Sequence, residues 1–456
     1  MDAPSARWWA CPLDVETFAV DAVERVRDAA AALTRARGLD LHVTTSPALT
    51  AASFAALEHL HVDGVPAPTW AELSGFARAA DGWVRLHGNY PHHAEVLREL
   101  YGIRDRDGLD RALAVRPAAQ IEDEVAAAGG IAVAVRTAEE WQMHPHHLAI
   151  AGEPWTTVVD RGARPTLPVL AGTFPALPLD GVRVLDLTRV IAGPSCTQLL
   201  ACLGADVLRI DPPHRPEIPA QHLSTGMGKR SAALDLRRPD HAVRVRELAA
   251  SADVILDGYR PGALARHGLG TEDLEALAPQ AVIVSLSAWG EHGPWGQRPG
   301  FDSIVQAATG IAVRCGSAER PGALPVQALD HATGHRIAAH VIGALASGRA
   351  VTVRASLLGA ARTLLAAGPP ASDDVVGPAV EAAGPAGEGA GPAVEAAGPS
   401  VPRVRVVARG TEQRLEAVPP PLLLDGHTIE QDVPEHGAAE PVWRGSVAGR
   451  WSGAGG

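Results

Sequence analysis

Between residues 178 and 345 short apolar runs alternate with amphipathic stretches. The runs "VRVLDLTRVI" (182–191), "ADVLRI" (205–210), "DVILDGY" (253–259) and "AVIVSLSAW" (281–289) are rich in β-branched residues and read as strands. The intervening "AGPSCTQLLACLG", "RPDHAVRVRELAASA" and "LEALAP" read as helices. Near-continuous apolar strands separated by helices predict right-handed βαβ units around a buried parallel sheet. The expected fold class is therefore α/β, with a Rossmann-like parallel-sheet large domain.

The first 160 residues have a different rhythm. "ETFAVDAVERVRDAAAALTRAR" (16–37) carries Val20, Val23, Val26 and Leu33 near helical spacing. "DGWVRLHGNY" (81–90) alternates like a strand, and "PHHAEVLRELYG" (91–102) reads as a helix started by proline and stopped by glycine. Thr137 with Glu140 predicts a capping box. The domain reading is a smaller α/β unit over 1–160, a proline-rich connector over 161–180, the large domain over 181–365, a low-complexity linker over 366–400 and a C-terminal tail over 401–456. Within the linker the unit GPAVEAAGP occurs twice, a composition too poor in bulky apolar residues to fold alone. The tail offers one strand, "RVRVVA" (403–408).

Composition narrows the function classes. The 456 residues carry a formal charge of −12, which argues against nucleic acid or an anionic membrane as partner. No uncharged apolar run is long enough for a membrane span. Cys11, Cys196, Cys202 and Cys315 share no CxxC spacing, and the N-terminus lacks a basic start followed by an apolar stretch. The expectation is a reduced, cytoplasmic chain.

Candidate chemistry starts with two motifs that fail. "GMGKRS" (226–231) has Leu223 where a Walker loop needs glycine. "GEHGPWG" (290–296) reads as a loop, not the opening of a dinucleotide-binding helix. "ALPVQALDHATGHRIAAH" (323–340) puts Asp330 before His331, His335 and His340. Asp330 reads as a metal ligand, an N-cap at the end of a strand, or a base or nucleophile. No third ligand stands at fixed spacing, so no metal is expected. His144, His146 and His147 read as a solvated loop.

Four blocks then occur in order: "LDGVRVLDLTRVIAGPSCTQLLACLGADVLRIDPP" (179–213), "GKRSAALDLRRPD" (228–240), "ADVILDGYRPGALARHGLG" (252–270) and "VSLSAWGEHGPWGQRPGFDSIVQAATG" (284–310). Together they resemble the family III (CaiB/BaiF) CoA-transferases. "ADGWVRLHGNYPHHAEVLRELYG" (80–102) and "VRTAEEWQMHPHH" (135–147) resemble the family's smaller domain, here ahead of the large one, so a rearranged domain order is expected. The resemblance implies coenzyme A as acyl-CoA co-substrate, a carboxylic acid acceptor and a homodimer. It implies Asp330 as nucleophile, forming an aspartyl anhydride and then a thioester, with His331 beside it. It implies Ile191, Ala192, Arg209 and Arg260 as CoA-binding positions. Phe301 stands where the racemase branch has a histidine. The alternatives are an acyl-CoA racemase or epimerase using Asp330 and His331, and a family scaffold used without CoA.

Overall fold

The computed structural model describes residues 8–172, 175–370 and 401–445. The GPAVEAAGP repeat lies outside the described residues. Seven strands form the large sheet: β1 Thr156–Ala163, β2 Arg183–Leu187, β3 Asp206–Asp211, β4 Arg230–Ala233, β5 Val254–Asp257, β6 Val282–Ser287 and β7 Arg349–Ser356. Their order is β4-β3-β2-β5-β6-β7-β1. β2 to β7 pair in parallel, and β1 closes one edge antiparallel to β7. Counted from β2, the parallel strands run 3-2-1-4-5-6, the order of a doubly wound sheet, whose switch point falls between β2 and β5. Their apolar runs follow from burial on both faces: Val254, Ile255, Leu256, Val282 and Ile283 are all buried. Residues 161–163, at the start of the proline-rich connector, belong to β1, which exposes Val158 and Val159.

Helices pack the sheet. α1 (Val15–Ala36) is capped by Asp14, which accepts the Thr17 N–H, and buries Val23, Val26 and Leu33. α2 (Pro91–Tyr101) starts on proline and ends on Gly102 in the left-handed region, as its sequence predicts. α3 (Ala192–Cys202) leads from β2 to β3, α4 (Asp302–Ala308) follows β6, and α5 (Ala328–Ser347) leads into β7. α1 lies along α5, so the N-terminal stretch supplies part of the large layer. α5 also crosses α3 closely. A Cβ on Gly334 would stand 2.3 Å from the Ala192 carbonyl oxygen.

The smaller sheet has strands Gly75–Arg78, Trp83–Leu86 and Ala132–Ala134, with its own core of Leu73, Val84, Leu97, Leu109 and Ile121. The Thr137–Glu140 capping box forms. The expected solvated loop at 144–147 is instead part of a short helix, Pro145–Ile150, with His146 fully buried. His146 Nδ1 accepts the Trp295 N–H at 3.1 Å, so its Nε2 carries the proton donated to the Trp289 carbonyl at 3.0 Å. This imidazole bolts the smaller unit to the loop after β6. Residues 404–428 add four short strands: Gln413–Ala417 pairs with His61–Val62, and Leu423–Leu424 pairs with Val43–Thr44. Both ends of the chain thus share sheets.

Candidate active site

Asp186, the penultimate residue of β2, is fully buried and accepts hydrogen bonds from the Thr188 N–H and hydroxyl and the Thr197 hydroxyl. Lys229 of "GMGKRS" is its countercharge at 3.5 Å and also donates to Thr197 and the Pro194 carbonyl. Burial lowers the Lys229 ammonium to about 8, against the attraction of Asp186. The failed phosphate motif is therefore a buried strut under α3. Beyond it Val190 adopts φ 69°, a region that β-branched residues rarely occupy. Glu217 holds that peptide by accepting the Val190 N–H at 3.0 Å, and it also takes the Tyr90 hydroxyl and Arg209. Ile191 and Ala192 follow as the N-cap and first residue of α3.

Asp330 lies in the first turn of α5, after Gln327 as N-cap and with no strand before it. It is therefore not the cap that its place in the sequence suggests. The capping comes from Asp302, whose carboxylate accepts the Asp330 N–H at 2.9 Å and a bond from Gln306 at 2.6 Å. Burial, and then the Asp302 carboxylate, push the Asp330 carboxyl well above its usual range. Burial pushes Asp302 up to about 6. Two carboxyls this close in a dry site ionise one at a time, so near neutrality the pair can hold a single proton.

Asp330 stands where two cavities meet; both are lined by Val190, Phe301 and Asp330. The larger is a cleft of about 540 Å³ at the carboxyl ends of β2 and β5, over the switch point. Six arginines line it: Arg189, Arg215, Arg237, Arg260, Arg266 and Arg298. Arg237 is taken by Asp235, and Arg298 by Glu122 and Asp123. The Arg215 and Arg260 side chains have no ion pair or hydrogen bond among the described residues. In a chain of net charge −12, this is a local concentration of positive charge. The second cavity is a recess of about 30 Å³ whose walls include Phe54, Trp70, Ile191 and His331.

The sequence-derived positions divide accordingly. Asp330, His331, Ile191, Ala192 and Arg260 come together around the two cavities. Arg209 does not join them. It is buried, with its guanidinium 2.8 Å from Asp211 and 2.7 Å from Glu217, and it serves the Val190 anchor. His331 and His335 share a helix face, but both pack on the Phe54 ring, 5.3 and 5.6 Å between centroids. Burial lowers them to about 3 and about 4. Among the described residues no cluster of His, Cys, Asp or Glu is arranged to hold a metal.

Sequence reasoning missed Asp302, Glu217, Val190 and a group from the smaller unit. His87 stacks on Phe301 at 3.8 Å, and the Arg189 guanidinium lies 4.6 Å from the Tyr90 ring. His92 and His93 line the cleft. The signal available was "GNYPHH", polar and aromatic residues crowded at a strand-to-helix turn.

Residues 179–392 match CoA-transferase family III. That region belongs to CoA-transferase family III. A probable fatty acyl-CoA transferase of Mycobacterium tuberculosis is 37% identical over 185 residues, 38% of this chain and 47% of the relative. Human succinyl-CoA:glutarate CoA-transferase is 36% identical over 173 residues, 34% of this chain and 39% of the relative. Among solved structures, a CAIB/BAIF family protein from Brucella suis is 31% identical with a TM-score of 0.39, over 42% of this chain and 56% of that one. The chain thus spans about half, or less, of the length of the curated relatives it matches. The family III region holds β2 to β7, Asp330 and the arginine-lined cleft; Tyr90, His92 and His93 come from outside it. Among the described residues no helix is long and apolar enough to cross a membrane.

Proposed function

We propose that this protein transfers CoA from an acyl-CoA thioester to a carboxylic acid, with Asp330 as the covalent relay. One observation carries the reading: a single carboxyl group sits at the junction of an arginine-lined cleft and a small recess, over the switch point of a doubly wound sheet. The cleft suits the phosphates of CoA, with Arg215 and Arg260 as unengaged donors. Ala192 and Val190 line the path to Asp330.

In the first step the Asp330 carboxylate attacks the thioester carbonyl, the C–S bond breaks and CoA leaves as thiolate. The attack needs Asp330 to lose its proton beside the Asp302 carboxylate; the positive end of α5 favours the charge that results. The thiolate then attacks the Asp330 carbonyl of the mixed anhydride, releasing the donor acid and leaving an aspartyl-CoA thioester. The acceptor carboxylate attacks this thioester, and the thiolate returns to the new anhydride at the acceptor's carbonyl, restoring Asp330. Every bond broken is matched by one formed, so thioester energy is retained provided water stays out. The proton-transfer alternative asks His331 to act as a base. At about 3 its imidazole is a weak one, which favours the transferase. The homodimer and the rearranged domain order rest on the family resemblance, and the cytoplasmic location on the scattered cysteines.

The test is intact mass spectrometry after mixing with acyl-CoAs. A CoA adduct that hydroxylamine removes and that Asp330→Ala abolishes supports the relay. No adduct from any donor, with solvent deuterium entering the α-carbon, replaces it with proton transfer.

A further inference from the structure

Resting on the CoA-transfer reading, the geometry points to a short, uncharged acyl group as the substrate class: two or three carbons, neither a dicarboxylate nor a fatty acyl chain. The two cavities at Asp330 differ in kind. The cleft carries all six arginines, so the nucleotide end of an acyl-CoA lies there, and the acyl group, on the far side of the thioester, falls into the recess. At about 30 Å³, the recess has room for about two or three water-sized groups. Trp70, Phe54 and Ile218 close its apolar side.

No lysine or arginine is among the described residues that line it, and Glu58 adds a carboxyl group, raised by burial, to its wall. His87 and His331 line it too, but burial keeps both imidazoles neutral, so neither provides a cation. The nearby Arg85 guanidinium is not part of the wall; it is sandwiched at 4.8 and 4.7 Å from the Trp70 and Phe76 rings. The distal carboxylate of a dicarboxylyl group would enter with no cation to pair with, among the uncharged side chains of Thr69, Asn89, Gln221 and Gln327, and burying an unpaired charge is costly.

The experiment is single-turnover adduct formation on the full chain, read by quench and intact mass, with propionyl-CoA, succinyl-CoA and octanoyl-CoA as donors. No acceptor is needed, so acceptor preference does not enter. The expected result is at least 100-fold faster adduct formation from propionyl-CoA than from either other donor. Succinyl- or octanoyl-CoA within threefold of propionyl-CoA overturns the inference and leaves CoA transfer standing. No adduct from any donor, although calorimetry shows all three bound, overturns the transferase reading and this inference with it. Two gain-of-function variants test the walls in ways a folding defect does not imitate. Glu58→Lys is expected to raise the succinyl-CoA rate at least tenfold, and Trp70→Ala the octanoyl-CoA rate at least tenfold. No gain in either variant overturns the assignment of the recess to the acyl group.

Discussion

Two glycines on the same helix allow the α3–α5 crossing to be weighed. Gly334 and Gly343 both lie inside α5, and replacing either by alanine removes the same backbone freedom from the unfolded chain. That alone stabilises by about 0.5–1 kcal/mol. At Gly343 a Cβ meets nothing within 4 Å, so Gly343→Ala is expected to gain this amount. At Gly334 the new Cβ would lie 2.3 Å from both the Ala192 carbonyl oxygen and Ser195 Oγ. The serine hydroxyl can rotate away; the backbone oxygen cannot. Relief requires α3 and α5 to separate by about 1 Å, since ordinary contact begins at 3.4 Å. Forced repacking of this kind costs about 1–3 kcal/mol, which outweighs the glycine term. Gly334→Ala is expected to melt several degrees below the wild type while Gly343→Ala melts slightly above it. Because the separation carries Ala192 away from Asp330, Gly334→Ala should also slow adduct formation more than its lost stability explains. Equal melting temperatures for the two variants would refute the claim that these helices touch through backbone at this point.

Three further outcomes follow from the site. Arg260→Ala and Arg215→Ala are each expected to weaken acyl-CoA binding by about 1.5–3 kcal/mol, 10- to 100-fold in Kd, with a shallower salt dependence in calorimetry; no change in either would remove the cleft from the CoA site. His335→Leu is expected to stabilise, because His335 is 2% exposed and neither ring nitrogen has a partner; the gain is about 1–3 kcal/mol at pH 7.5. Its folded pKa, about 4, lies below the ordinary 6.5, so the unfolded chain takes up the proton first and stability falls with pH below 6.5. The variant should therefore gain about 2 kcal/mol more at pH 5, and melting curves at the two pH values that differ equally from wild type would contradict this. Asp302→Asn keeps an acceptor for the Asp330 N–H but removes the neighbouring charge, so the acid limb of the adduct-formation rate should move to lower pH; an unmoved limb would mean that the two carboxyls are not coupled.

The parallel strands were legible because burial on both faces writes itself as continuous apolar runs, as at Val254–Asp257 and Val282–Ser287. β1 left no such mark, since it is an edge strand with Val158 and Val159 in solvent. The strands at 423–424 and 427–428 are two residues long, and their place is set by a partner at 43–44; no local pattern reports a partner so distant. Asp330 was legible through its family resemblance, but its local role was misread because its cap comes from Asp302, 28 residues earlier. Arg209 shows the opposite failure. An arginine inside "VLRID" looks available for a ligand until Asp211 and Glu217 are seen to enclose it. The contribution of His87, Tyr90 and His93 depended on how the smaller unit folds back over the sheet, which spacing does not encode.

The pairing of the chain's two ends has a consequence for synthesis. The His42 amide donates to the Asp425 carboxylate across 383 positions, and Val62 pairs with Leu415. At about 5–20 residues per second a ribosome takes roughly 20–80 s to cover that distance. During this interval the segment around residues 43–66 has emerged, but its sheets lack the strands that complete them. Contacts this remote also slow folding once the chain is free. A segment made early is thus among the last to be finished, and its unpaired edges are the place where chaperones or self-association would act on the nascent chain.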